Sequence, residues 1–357
     1  MTNTYAETGL STASAPLFSI DRSSINEVSV SGIISVVEGS GSHQTQSLLA
    51  HGDVSYRLWS RSLLKPWQLL SHLDELTINY SWLKPEHFAL MMASHSCESV
   101  HLKLLEEIEA LGGISRNRLG CPATYPISHE MKVQLKERGQ EPQSIYHNCS
   151  GKHFGYLLAL KAQGMEEINY LERDGQHFQP LKSILSSVNS RDEDSFDVTC
   201  DGCQLPNYAL TPMEMARMYL GLVCGESTQH PLTAKLGYLS EIMRQHPRIV
   251  SGSERLDFRL MSAGLTETNV PVIAKEGADG LIGIGIGACS QYKNGLGILV
   301  KLASGTDSRH TESIARELLR QLGLLKEKPA SRLVGPPVRT EHLKTNFHFQ
   351  LALAKAR

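Results

Sequence analysis

Ser62 stands three residues before Lys65 in the stretch Ser60-Arg61-Ser62-Leu63-Leu64-Lys65-Pro66-Trp67-Gln68. On a helical turn, positions three apart share a face, so the hydroxyl and the amine can meet. A serine hydroxyl is a poor nucleophile until a base takes its proton. Lysine is that base only when burial or nearby positive charge keeps its amine neutral. Ser-x-x-Lys is a pattern of acyl-transfer enzymes, although it also arises often by chance. Pro66 belongs in the first turn of a helix and drives the residue before it out of the helical conformation. The helix predicted over 67–76 therefore starts close to Lys65. Both side chains then sit at a helix entrance, where backbone N–H groups favour negative charge.

Other residues can join them. Ser94 ends the apolar run 88–93 and Lys275 the run 270–274. A second lysine beside the first depresses an amine's pKa by like-charge repulsion. Cys149, Cys200 and Cys203 stand in polar, glycine-bearing loops. The Cys200-x-x-Cys203 spacing suggests zinc or a redox pair, with Cys149 or His153 needed to complete a metal set. Cys149 assisted by His153 is a competing nucleophile. Asp201 before Gly202 is either a turn residue bonding its own backbone or a grip for an ammonium group. Arg61 can hold a carboxylate with both arms of its fork. An acid and a base bracketing one site suit an α-amino acid.

These side chains need elements to position them. Strands are predicted over 28–37, 45–49, 54–59, 270–275, 281–289 and 296–303, the last two joined by the Asn294-Gly295 turn. Helices are predicted over 100–111 with Ser99 as cap, 128–138, from about 150 to Gly164, 211–224, 232–245 and 311–324. Thr211-Pro212-Met213-Glu214 is a strong helix start: cap, proline at the first helical position, glutamate three after the cap. Strands at both ends with helices between them indicate an α+β fold, in which N- and C-terminal strands share one antiparallel sheet with helices packed on it. The Ile-Gly-Ile-Gly-Ile-Gly run at 282–287 reads as a strand whose glycines admit another backbone, not as a phosphate loop.

The 357 residues are 41% hydrophobic and 20% charged, with net charge −2 and a pI near 6.7. That balance gives no reason to invoke nucleic acid or an anionic membrane, and no run reaches the roughly 18 apolar residues of a spanning helix. Seven cysteines, an odd and sparse set, favour a reducing cytoplasm over a disulfide framework. Residues 1–22 read as a flexible N-terminal arm, 23–325 as the catalytic domain and 326–357 as a peripheral tail. That tail carries seven Lys or Arg against two Glu.

Six motifs in order are similar to the L-asparaginase II family, the Rhizobium-type class distinct from the threonine-dependent enzymes. They are Arg61-Ser62-x-x-Lys65-Pro66-x-Gln68, Ala93-Ser94-His95-Ser96-x-Glu98, Asn148-Cys149-Ser150-Gly151-Lys152-His153, Asp201-Gly202-Cys203-x-x-Pro206, Gly252-x-x-Arg255-x-Asp257 and Ala274-Lys275-x-Gly277-Ala278-x-Gly280. The resemblance implies a fold like that of the serine β-lactamases and glutaminases, and hydrolysis of L-asparagine to aspartate and ammonia. It implies two Ser–Lys pairs, Ser62 with Lys65 and Ser94 with Lys275, and a zinc ion (Zn2+) on Cys149, Lys152 and Cys203. A lysine ligand must lose its proton, which the metal itself drives off. Arg61, His153 and Asp201 fall where the family holds the amino-acid end of the substrate, and homodimers are expected. Four features depart from the pattern. Cys97 replaces a usual glycine, Thr124 a usual histidine, Cys200 is an added thiol, and the N-terminal strand lacks the usual Arg-Gly and Glu-Ser-x-His. These leave open an amidase for glutamine or a modified asparagine, or a non-catalytic amino-acid-binding homologue.

Overall fold

A computed structural model describes residues 9–22, 25–40, 44–165, 169–224, 232–263, 265–305, 308–325 and 343–347. Its strands in chain order are β1 (Ala15–Arg22), β2 (Ile25–Ser40), β3 (Gln44–His51), β4 (Leu58–Trp59), β5 (Val198–Cys200), β6 (Pro206–Leu210), β7 (Val272–Gly277), β8 (Leu281–Ile286), β9 (Leu296–Leu302) and β10 (Leu343–Phe347). The backbone forms two compact units, each assembled from separated stretches. The first comprises 1–58, 210–229 and 263–357, the second 59–209 and 230–262.

The first unit is built on a seven-stranded sheet in the order β10-β1-β2-β9-β8-β7, with β3 also pairing β2. Every resolved pairing in it is antiparallel, and the N- and C-terminal strands share it as the element pattern implies. Two expectations change here. Ala15–Arg22, placed in the flexible arm, is a strand hydrogen-bonded on both edges, and Leu17 and Phe18 in it are buried. The Ser- and Thr-rich start and Pro16 hid that short apolar run. Within the expected tail, 343–347 is the edge strand β10; the remainder of 326–357 lies outside the described residues.

β8 alternates Ile282, Ile284 and Ile286 with Gly283 and Gly285, and all are buried. Each isoleucine contributes about 1.5–3 kcal/mol by leaving water. The glycines serve the other face, where the helix Pro212–Cys224 packs. A Cβ on Gly285 would lie 2.5 Å from Tyr219 O, and one on Gly297 of β9 only 1.9 Å from Ala216 O. The helix thus rests directly on sheet backbone, as the glycine pattern predicted. Its start is the expected capping box: Glu214 N–H donates to Thr211 Oγ1 at 3.1 Å, and Thr211 N–H to Glu214 Oε2 at 2.7 Å. Lys275, on β7, is fully buried.

The second unit is mainly helical. At its centre is the helix Ser150–Ala162, buried from Ser150 through Leu160. The helices Leu73–Asn79, Pro85–Met91 and Ser99–Gly112 pack against it. The predicted 67–76 helix is two helices, Lys65–Leu70 and Leu73–Asn79, with Pro66 in the first turn. Glu98, one residue earlier than expected, caps Ser99–Gly112, because His101 Nδ1 accepts its N–H at 2.9 Å. Among the described residues, no helix is long and apolar enough to cross a membrane.

Candidate active site

Ser62 lies on a 3-10 turn, Arg61–Leu64, that leads directly into Lys65–Leu70. The expected pair is joined through the backbone, where Lys65 N–H donates to Ser62 O. The Lys65 side chain runs into the core, fully buried, and its Nζ lies 3.0 Å from Ser94 Oγ. It also donates to Ala93 O and, at 3.5 Å, reaches Asn148 O. Two of these three neighbours are carbonyls, which only accept. An ammonium offers three N–H groups to these acceptors, and a neutral amine two N–H groups and a lone pair for the Ser94 hydroxyl. Ser62 itself is half-buried.

The loop carrying Ser94 is fixed from two sides. Ser94 N–H donates to Val250 O at 3.0 Å and Ser96 N–H to Ser251 O at 2.7 Å, while His95 N–H donates to Asn148 O. Glu98 then accepts from Ser253 N–H at 2.6 Å and from Arg248 at 2.7 Å. Gly252 has φ +138°, and a Cβ there would lie 2.3 Å from Ser96 Oγ. Cys97 occupies the same loop at φ +60°, conformational space that favours glycine. Burial pushes its thiol up to about 12, so it is an inert filler. Below the loop, His95 Nε2 is 2.9 Å from Ser150 Oγ, whose own O–H donates to Ile145 O. Nε2 must therefore carry the proton, and burial holds the ring neutral.

Arg61 and Asp201, expected to grip opposite ends of an amino acid, grip each other, with Nε 2.8 Å from Oδ1. The turn reading of Asp201 holds. The same carboxylate oxygen accepts Gly202 N–H at 2.9 Å, and Gln204 N–H closes the turn on Asp201 O. That turn points Cys203 inward.

Cys149, Lys152 and Cys203 converge. Lys152 Nζ is 3.1 Å from Cys203 Sγ, and all three residues are buried. The hydrogen bond from Cys149, with help from Lys152, holds the Cys203 thiol well below its ordinary value despite burial. The same bond pushes Cys149 up, so the pair keeps one proton between them. Burial works against the Lys152 charge, but the two sulfurs outweigh it and keep it an ammonium. The two soft sulfurs, sharing one negative charge, fit zinc in donor type, and Lys152 would join them as a ligand on losing its proton. Among the described residues, no group of three or more His, Cys, Asp or Glu side chains is placed to hold a metal, so the amine is essential to such a set. Cys200 stays outside it: exposed on β5, it does not pair with Cys203. The Cys-x-x-Cys spacing therefore misdirects, because β5 ends between the two sulfurs.

His153 adds a donor. Tyr170 OH accepts Gly120 N–H, so its own hydrogen faces His153 Nδ1 at 2.7 Å. Nδ1 thus accepts and Nε2 carries the proton, buried without a hydrogen-bond partner of full geometry and beside the Cys203 sulfur. A protonated Nε2 suits a substrate oxygen better than a metal. Sequence reasoning missed Asn148, Tyr170 and Asn207. Asn148 opens a motif and Asn207 follows one, but nothing in their type announces a role in holding other backbone or Lys65.

The profile of the L-asparaginase II family matches residues 18–346. No curated protein matches the chain. Among solved structures, a probable glutaminase from Bacillus subtilis complexed with 6-diazo-5-oxo-L-norleucine aligns at 16% identity and TM-score 0.38, over 83% of this chain and 85% of that one. A β-lactamase from Burkholderia vietnamiensis aligns at 12% identity and TM-score 0.35, over 81% and 93%. Likenesses this distant carry nothing about activity.

Proposed function

The chain belongs to the L-asparaginase II family, a family of amidohydrolases, and we propose that it hydrolyses L-asparagine to L-aspartate and ammonia. The observation that carries the reading is the buried Lys65 amine 3.0 Å from Ser94 Oγ with two carbonyls on its N–H groups. Ser62 is the attacking group, because it is half-buried and reachable whereas Ser94 is 1% exposed. Its oxygen bonds to the side-chain amide carbon, and its proton passes to Lys65, with Ser94 as relay. Backbone N–H groups at the helix entrance face the oxyanion. The amide nitrogen takes that proton and leaves as ammonia. Water then attacks the acyl ester, its proton following the same route, and aspartate leaves with Ser62 restored.

Arg61 and His153 hold the substrate carboxylate and Asp201 its ammonium. A zwitterion entering between Arg61 and Asp201 replaces their mutual ion pair with two new ones. Lys275 enters, through the family resemblance, as the second amine. A zinc ion on Cys149, Lys152 and Cys203 would supply a fixed positive charge that orients the substrate. The same reading includes a cytoplasmic homodimer.

Ammonia release from asparagine and glutamine tests the proposal. Ser62→Ala is expected to cost several orders of magnitude with the fold retained, and near-normal turnover overturns it. Binding without turnover in the unaltered protein would mark an amino-acid-binding homologue. Ser94 as nucleophile is the second reading, favoured by its direct bond to Lys65. Trapping with a diazoketone analogue of asparagine and mapping the labelled peptide separates the two.

A further inference from the structure

Arg61 is the residue that begins the Ser62 turn, and it is left-handed, at φ +48°. A non-glycine residue holds that conformation only where its surroundings over-determine it. Its backbone is held by a side chain from a distant strand. Asn207, 2% exposed on β6, accepts Arg61 N–H on Oδ1 at 3.0 Å and donates from Nδ2 to Arg61 O at 3.2 Å. One carboxamide thus satisfies both backbone groups of a residue 146 positions away, as a neighbouring strand would. Next to it, Ser60 N–H and Oγ both donate to Tyr208 O, at 3.1 and 2.8 Å. The entry to the turn is therefore pinned to β6, and the chain reverses at Arg61.

We infer that Asn207 is a positioning residue that aims two groups at once: the Arg61 guanidinium toward Asp201 and the Ser62 hydroxyl that follows it. The chemistry requires this side chain. Aspartate keeps the acceptor for Arg61 N–H but has no donor for Arg61 O. Leucine has the shape and neither partner. Glutamine has both but one methylene too many. Without the clamp, Arg61 relaxes toward ordinary φ, which swings its side chain off Asp201 and shifts Ser62 along the turn.

This inference rests on Arg61 and Ser62 having the roles proposed above, so its test carries a readout that needs no asparagine turnover. In the full chain, Asn207→Leu and Asn207→Asp are compared with Arg61→Ala and with the double variant Arg61→Ala, Asn207→Leu. Two quantities are measured: KM and kcat for ammonia release, and the rate at which a fluorophosphonate labels Ser62. Expected results are a KM raised at least 10-fold, Ser62 labelling slowed by a similar factor, and a double variant whose KM is no worse than that of Arg61→Ala. Additive KM losses, or labelling at the unaltered rate in both Asn207 variants, overturn the inference. If the unaltered protein releases no ammonia yet Ser62 labelling still falls in the Asn207 variants, the positioning role stands and the amidase reading fails. Should Asn207→Leu not fold, Asn207→Asp, which removes only the donor, decides by the same two quantities.

Discussion

Lys65 and Ser94, 29 residues apart in sequence, meet at 3.0 Å in the interior of the second unit. Ala93 O and Asn148 O fix the amine, and Val250 O fixes the backbone of Ser94. The amine is thus held by the fold itself.

Removing either partner should disable proton transfer. Lys65→Met keeps the length and apolar stem, and is expected to lower kcat for ammonia release by about 10²–10⁴, the range for a positioned acid–base group. Ser94→Ala should fall in the same range. Normal turnover in Ser94→Ala would remove Ser94 from the proton path.

The Arg61–Asp201 pair predicts a split between binding and chemistry. Asp201→Asn leaves the turn bonds to Gly202 and Gln204 available but removes the charge opposite an ammonium. A charge-assisted hydrogen bond is worth about 1.5–3 kcal/mol. KM for asparagine should therefore rise roughly 10- to 100-fold with kcat changed far less. A kcat loss without a KM change would place Asp201 elsewhere in the reaction.

Metal content discriminates among the thiols. Elemental analysis of protein grown with zinc should give about one zinc per chain, lost in the double variant Cys149→Ser, Cys203→Ser and unchanged in Cys200→Ser. Zinc that persists in the double variant rules out this donor set, and zinc lost in Cys200→Ser would bring the exposed thiol into it.

Glu98 ties the Ser94 loop to 248–253, and that tie is acid-sensitive. Burial raises its carboxyl, but the bonds from Ser253 and Arg248 outweigh burial and hold it below its ordinary 4.5. A carboxylate depressed in the folded state contributes stability that is complete above its unfolded value of about 4.5. That contribution is lost as pH falls through the lower folded value. The thermal midpoint of the unaltered protein should exceed that of Glu98→Gln at pH 6, with the gap closing below pH 4.5. A gap independent of pH between 3 and 6 would show that the charge contributes nothing.

Much of this was legible in the chain because periodicity and turn chemistry agree locally. The glycine–isoleucine run of β8 and the capping box at Thr211 and Glu214 each encode their own geometry, whereas Lys65, expected outside the helical conformation before Pro66, is helical at φ −56°, ψ −39°. What could not be read are partnerships between distant segments. Ser-x-x-Lys speaks only for side chains on one turn and gave no sign that the Lys65 amine reaches a loop 29 residues on. Cys-x-x-Cys drew Cys203 toward Cys200, whereas its partners Cys149 and Lys152 come from the start of a helix 50 residues earlier. Asn207 carries no signal at all, since a carboxamide becomes a clamp only when another backbone is delivered to it.

Cys200 gives the molecule a built-in handle. It is exposed while Cys97, Cys121, Cys149, Cys203 and Cys289 are buried and Cys224 is half-covered. Maleimide reagents will therefore find it first. A small environment-sensitive dye attached there sits one residue from Asp201, and its emission would report arrival of an amino acid without any coupled assay.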